Sequence, residues 1–376
     1  MGPSGVLFAV LGVAVFVAAL VLLARAERAR RARIDAERDA LARSLGMSYD
    51  ASTTTLAGVL DGFPASVKWV TTVVSTGKTV MVITTTKYLF EGFPRSIVIR
   101  PEGLGTGVRK ALGAGERIVG DRAFDDAVFF QAEDLDAALF RDPDVRRCAI
   151  EVVSTGAAVR DGEIALDKSG HDTAETVRAR LAAFAALAVS VRDARTRLPA
   201  LLAAGRDASA MRLLVERFAG APETLRASEE LRASVDPELR VLSAIGLRDA
   251  AALRALLRDP ALPIAPRREA LAAIVPTETD ADLEPALIEL LRDSDIQTKC
   301  NACRALGVCG SVAAVEAIHV AAKGILTDSS LKLAANEAVV RIQGRAENAA
   351  PGQLQLSDPD PARGAVSIAR KPQGST

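Results

Sequence analysis

The sequence predicts a multidomain protein: an N-terminal transmembrane helix, an α+β domain with an antiparallel sheet, and a C-terminal all-α solenoid. Three observations carry that expectation. Residues 5–24, GVLFAVLGVAVFVAALVLLA, are uncharged and almost wholly apolar. From 47 to 170, apolar positions alternate within short runs rich in Val, Ile and Thr, the pattern of half-buried strands. From 171 the spacing becomes helical, and beyond about 235 it repeats.

Composition narrows the class further. The chain has 376 residues, enough for several domains that each bury a core. Hydrophobic residues make up 49% but aromatics only 4%, which favours closely packed, alanine-rich helices over an aromatic-filled β core. Arginine outnumbers lysine 38 to 9, the codon signature of a GC-rich bacterial genome. The formal net charge is zero, so no global field attracts nucleic acid. Four cysteines, three of them clustered, do not form a secreted disulfide framework, and two histidines leave little room for histidine catalysis.

The elements follow in order. A helix over 5–24 has the length to cross a hydrocarbon core of ~30 Å. The juxtamembrane helix over 25–46 then carries Arg25, Arg28, Arg30, Arg31 and Arg33 at its start. By the positive-inside rule this predicts a single-pass protein of the bacterial inner (plasma) membrane, N-terminus outside and the bulk of the chain cytoplasmic. A cleaved signal peptide ending near Ala24-Arg25-Ala26 would need a basic leader and a shorter apolar run. The helix should stop at Gly46, a natural residue to follow a helix C-terminus. Its thin stripe of Ile34, Leu41 and Leu45 supports weak self-association at most.

Within 47–170, ASVKWVTTVV (65–74) and KTVMVITTTKYLF (78–90) read as paired strands around an STG turn. Asp61-Gly62 and Asp161-Gly162 mark two-residue hairpins. SIVIR (96–100), AVFFQ (127–131) and AIEVV (149–153) read as further strands and EDLDAALF (133–140) as a short helix, giving six or seven strands. STGKT (75–79) carries the end of a phosphate-binding loop, but the full pattern needs a glycine where Thr72 stands, and a strand follows. GLGTGVRKALG (103–113) is the candidate phosphate loop, with Gly103, Gly105 and Gly107 before a helix start. Its spacing is not that of a dinucleotide fingerprint, so a plain loop is the default. The stretch 120–153, with Phe124-Asp125, Phe129, an acidic pair and Asp142-Pro143, resembles uncharacterised bacterial membrane-anchored domains, which imply no activity.

The region 171–345 opens with a long helix that breaks before Pro199. Four later stretches then align: LRVLSAIGL (239–247), RREALAAIV (267–275), KCNACRALG (299–307) and KLAANEAVV (332–340). Val241, Ala270, Ala302 and Ala335 share one column, at spacings of 29, 32 and 33 residues. Ala244, Ala273, Ala305 and Ala338 share a second. AALRALLRDP (251–260) and ALIELLRDSD (286–295) supply matching first helices. These units, over about 235–345, resemble short HEAT-like repeats of the phycobilin-lyase type; the resemblance implies a scaffold and no lyase activity.

That register also bears on the cysteines. Cys300, Cys303 and Cys309, with His319 beyond, form the candidate metal set, but the site lacks a second Cys-x-x-Cys or a histidine pair. The repeat places these thiols as small buried hydrophobes. No cofactor is expected. The tail, 346–376, is polar and Pro/Gly-rich and reads as disordered. The leading functional expectation is a membrane-anchored, non-catalytic protein-interaction scaffold for an unidentified protein partner, binding no nucleic acid. The alternative is a membrane-tethered sensor whose α+β domain binds a small ligand or lipid headgroup and signals through the solenoid.

Overall fold

A computed structural model describes residues 3–75, 80–102, 117–323, 328–349, 354–355 and 367–368, with the side chains of 3–17, 80, 347–349, 354–355 and 367–368 outside that description. The chain forms two compact units, Met1–Leu202 and Ala203–Thr376.

The first unit begins with α1 (Pro3–Leu45), one continuous helix. Among the described residues no helix is long and apolar enough to cross a membrane. The transmembrane helix, the membrane partner and the single-pass inner-membrane location expected from sequence are corrected accordingly. The helix ends as its glycine dictates. Gly46 takes φ +67°, and its N–H donates to Arg43 O at 3.3 Å while Met47 N–H donates to Ala42 O at 2.9 Å. These two bonds make a Schellman cap that satisfies carbonyls the helix leaves open. The apolar stripe is used within the chain: Leu41 and Ala42 are buried, where α1 packs on β1, β2 and α5, defined below.

Eight strands form one antiparallel sheet, not six or seven: β1 (Ser48–Asp50), β2 (Thr55–Leu60), β3 (Phe63–Ser75), β4 (Val80–Glu91), β5 (Val98–Pro101), β6 (Val128–Gln131), β7 (Ala158–Arg160) and β8 (Glu163–Ser169). Their spatial order is β1-β2-β3-β4-β8-β7-β5-β6, so the last strand joins β4 to β7. Both Asp-Gly pairs make the expected two-residue turns. Asp61 and Gly62 have φ of 51° and 91°, and Asp161 and Gly162 have 55° and 89°, the doubly positive geometry that matches strand twist. Alternation then buries one face: Ala65, Val67 and Trp69 on β3, Thr86, Tyr88 and Phe90 on β4, Ile164 and Leu166 on β8. The register sets Val67 opposite Tyr88 and Phe90 opposite Ile164.

The helices of this unit are α2 (Arg122–Ala127), α3 (Asp134–Ala137, continued as a 3₁₀ turn to Arg141), α4 (Pro143–Ser154) and α5 (Ala174–Thr196). AIEVV, expected as a strand, lies in α4. Pro143 opens that helix, Asp142 accepts from Asp144 N–H as its cap, and Val145, Cys148, Ala149, Val152 and Val153 are buried at helical spacing. The cap and the 3.6-residue period outweigh the local β-branched content. Phe124, Phe130 and Phe140 cluster beneath α4, the last two with ring centroids 4.2 Å apart. α5 packs on α4 and β3 and so belongs to the sheet unit.

The unit boundary falls within α6 (Leu198–Gly205). Beyond it come α7 (Ala208–Arg217), α8 (Pro222–Leu231), α9 (Pro237–Gly246), α10 (Ala250–Arg258), α11 (Ile264–Ala273), α12 (Glu284–Leu290), α13 (Ile296–Cys309), α14 (Ala314–Ala322) and α15 (Ser329–Ala349). α10 packs on α11, α12 on α13 and α14 on α15, while α9, α11, α13 and α15 each touch the next. Small residues permit these approaches. A Cβ on Gly307 would sit 3.0 Å from Ala338 Cα, and one on Gly246 would overlap Ser228 Oγ. The first alanine column is buried throughout, but Ala273 is exposed because α11 ends there. In the tail, β9 (Leu354–Gln355) and β10 (Ser367–Ile368) pair antiparallel.

Candidate functional site

The three clustered cysteines are packing groups of α13. Cys300, Cys303 and Cys309 are buried in the apolar core of the helical unit. Cys300 Sγ lies 3.7 Å from Ser330 Oγ, and the Cys309 thiol donates to Ala305 O at 3.3 Å. Burial pushes the Cys303 thiol up to about 12 and the Cys309 thiol up to about 11, so neither supplies a thiolate at neutral pH. His319, on α14, is exposed, and among the described residues no group of three or more His, Cys, Asp and Glu side chains could hold a metal ion.

Ion pairs between successive segments hold the same unit. Arg254 Nε donates to Asp280 at 2.5 Å, and Asp280 also accepts from the Thr277 N–H and hydroxyl at 2.8 Å. Arg268 of α11 makes a two-pronged contact with Asp293, its Nε at 2.7 Å. Arg267 is buried. It donates to Glu289 and to the carbonyls of Asp259, Pro260 and Leu262, which close α10 and the following turn. Arg345 of α15 likewise donates to the carbonyls of Gly307 and Gly310 at the end of α13. These cations neutralise the negative ends of helices and are structural.

The exposed surface of the stacked helices includes a row of unlike side chains. Two residues after each buried alanine of the first column stand Ala272 on α11, Arg304 on α13 and Glu337 on α15, all exposed. At α9 the same position is Ser243, buried beneath α8, its hydroxyl donating to Ser228 O at 2.5 Å. The row thus starts at α11 and runs to the last helix. Sequence reasoning fixed the alanine columns without naming this row, although the same register locates it.

In the first unit, the glycines proposed for phosphate binding, Gly103, Gly105 and Gly107, lie outside the described residues. Of the five arginines expected at a membrane edge, Arg25, Arg28 and Arg31 are exposed on α1. Arg30 and Arg33 line a cleft with Arg38, Trp69 and His171. That grouping spans three elements far apart in sequence, and no local motif announces it. No family model, no curated protein and no solved structure matches this chain.

Proposed function

We propose that the C-terminal unit is a short solenoid of HEAT-like helix pairs and that the protein is a non-catalytic interaction scaffold. The exposed row Ala272–Arg304–Glu337 carries this reading. Repeat packing specifies the buried columns; it places no demand on this one, which is free to be chosen by a partner. Its two charged members, Arg304 and Glu337, are of opposite sign, and the half-buried Glu269 and Asn301 flank the row. It suits a protein partner with complementary charges and not an apolar groove filler.

The test keeps the chain whole. Arg304→Glu and Glu337→Lys together reverse the row without touching the core. Crosslinking capture with the parent chain and with this variant, both checked for equal thermal stability, should show a partner that the variant loses. Equal recovery by both would move the interaction elsewhere on the molecule.

A further inference from the structure

The sheet unit holds a cleft of about 340 Å³, within the range of small-molecule sites. Its walls are α1, which brings Arg30, Arg33, Glu37 and Arg38; β3, which brings Trp69; and the entry to α5, which brings His171, Asp172 and Thr173.

Charge is the first consideration. Asp172 is already committed: it accepts from the Tyr88 hydroxyl at 2.5 Å and pairs with Arg180. Among the described residues Glu37 is the one other carboxylate lining the cleft, which three arginines also line. Arg30 also meets Glu27, but at 4.0 Å between exposed side chains, a contact that contributes little. Arg38 is held in place, its guanidinium 4.1 Å from the Trp69 ring centroid and donating to Tyr49 Oη at 3.3 Å. Tyr49 in turn donates to Asp35 at 2.6 Å. Burial first, and then the charges of Arg38 and Arg30, hold His171 below its ordinary pKa, as a positive local potential requires.

A second observation is independent of these charges. Trp69 is 4% exposed, and its indole Nε1 is buried with no hydrogen-bond partner. An indole N–H can only donate, and buried donors in folded proteins find acceptors. The third is the helix end. α5 is 23 residues long, and its Thr173 cap accepts from Thr176 N–H while Val177 N–H donates to Thr173 O. The N–H groups of Ala174 and Glu175 precede the first intrahelical bonds at this positive end.

We propose that this cleft binds a small soluble phosphate monoester, its phosphate held among Arg30, Arg33, Arg38, the Trp69 indole N–H and the first turn of α5. A phosphate monoester offers several acceptor oxygens and a charge near −2. That matches three arginines against Glu37 better than a single carboxylate does. Ile34, Leu41 and Val177, which also line the cleft, meet the carbon skeleton of the ester. The assignment does not depend on the scaffold reading.

Trp69 is the only tryptophan of the chain, so its emission reports this site alone. Glycerol 3-phosphate and inorganic phosphate are titrated into the intact protein, with potassium chloride of equal ionic strength as the reference. A saturable change in emission is expected, with affinity about tenfold weaker in Arg33→Gln, as loss of one charged hydrogen bond implies. Arg33 is exposed, so that variant leaves packing intact. Calorimetry on Trp69→Phe, whose fold is checked by thermal melting, should show weakened binding. No saturable response, or the same affinity in an Arg30→Gln/Arg33→Gln double variant, would overturn the site. Unchanged affinity in Trp69→Phe would remove the indole from it. A response confined to vesicles carrying phosphatidic acid would overturn the soluble ligand.

Discussion

The two units solve the same problem, satisfying charge and polarity in a small-residue protein, over different distances along the chain. In the sheet unit the decisive contacts are long-range: Tyr88 meets Asp172 across 84 residues, and Arg197 meets the buried Asp142 across 55. In the helical unit most ion pairs join neighbours, Arg267 to Glu289 over 22 residues, Arg268 to Asp293 over 25 and Arg254 to Asp280 over 26, with Arg212 to Glu269 across 57 the exception. The first arrangement is cooperative because no piece of the sheet closes alone. The second is close to a sum of nearest-neighbour terms. Damage should therefore spread through the sheet unit and stay local in the helical one.

The largest effect expected from that contrast is in the phenylalanine cluster. Phe130→Ala removes a fully buried ring and should cost about 3–5 kcal/mol. Amide protection should fall across the whole sheet; a loss confined to α2 and β6 would break the comparison. Gly307→Val forces a side chain against the α15 backbone and should cost about 1–3 kcal/mol. Hydrogen exchange should quicken in α13 to α15 alone, leaving α7 to α9 as they were.

Acid supplies a finer probe. The Arg254 hydrogen bond holds the Asp280 carboxyl below its ordinary range. Its contribution to stability is therefore complete above the unfolded carboxylate pKa and is lost as pH falls through the lower folded value. Asp280→Asn should cost about 1 kcal/mol at neutral pH and flatten the acid limb of the melting curve, which melts at stepped pH would read. The smallest expected effect is in thiol labelling. Cys303, buried and protonated, should resist a thiol reagent until the helical unit opens, and rapid labelling of the native protein would contradict its packing role.

Where one physical rule decided a feature, the sequence was readable. Gly46 and the two Asp-Gly turns need backbone angles that other residues resist, and each falls where expected. The alanine columns are visible because helix approach demands small side chains at a fixed repeat. AIEVV misled because Val152 and Val153 sit on the buried helical face with Val145 and Cys148, and the Asp142 cap seven residues before Ala149 was the stronger signal. The arginines of α1 were read through the apolar run beside them, which drew them to a lipid surface. The cleft they line was invisible for a different reason: Arg33, Trp69 and His171 come together only once α1, β3 and α5 have packed.

The place of β8 has a consequence for biosynthesis. A ribosome delivers β1 to β7 before the strand that lies between β4 and β7 exists. Until residue 169 has emerged, the nascent chain holds two unjoined pieces of sheet, each with an open hydrogen-bonding edge and an uncovered apolar face. The interval lengthens further, because α5, which covers part of that face, follows β8. The helix pairs of the second unit have no such wait, since each closes when its second helix appears. Chaperone dependence during synthesis should therefore be concentrated in the first half of the chain and end soon after α5 clears the exit tunnel.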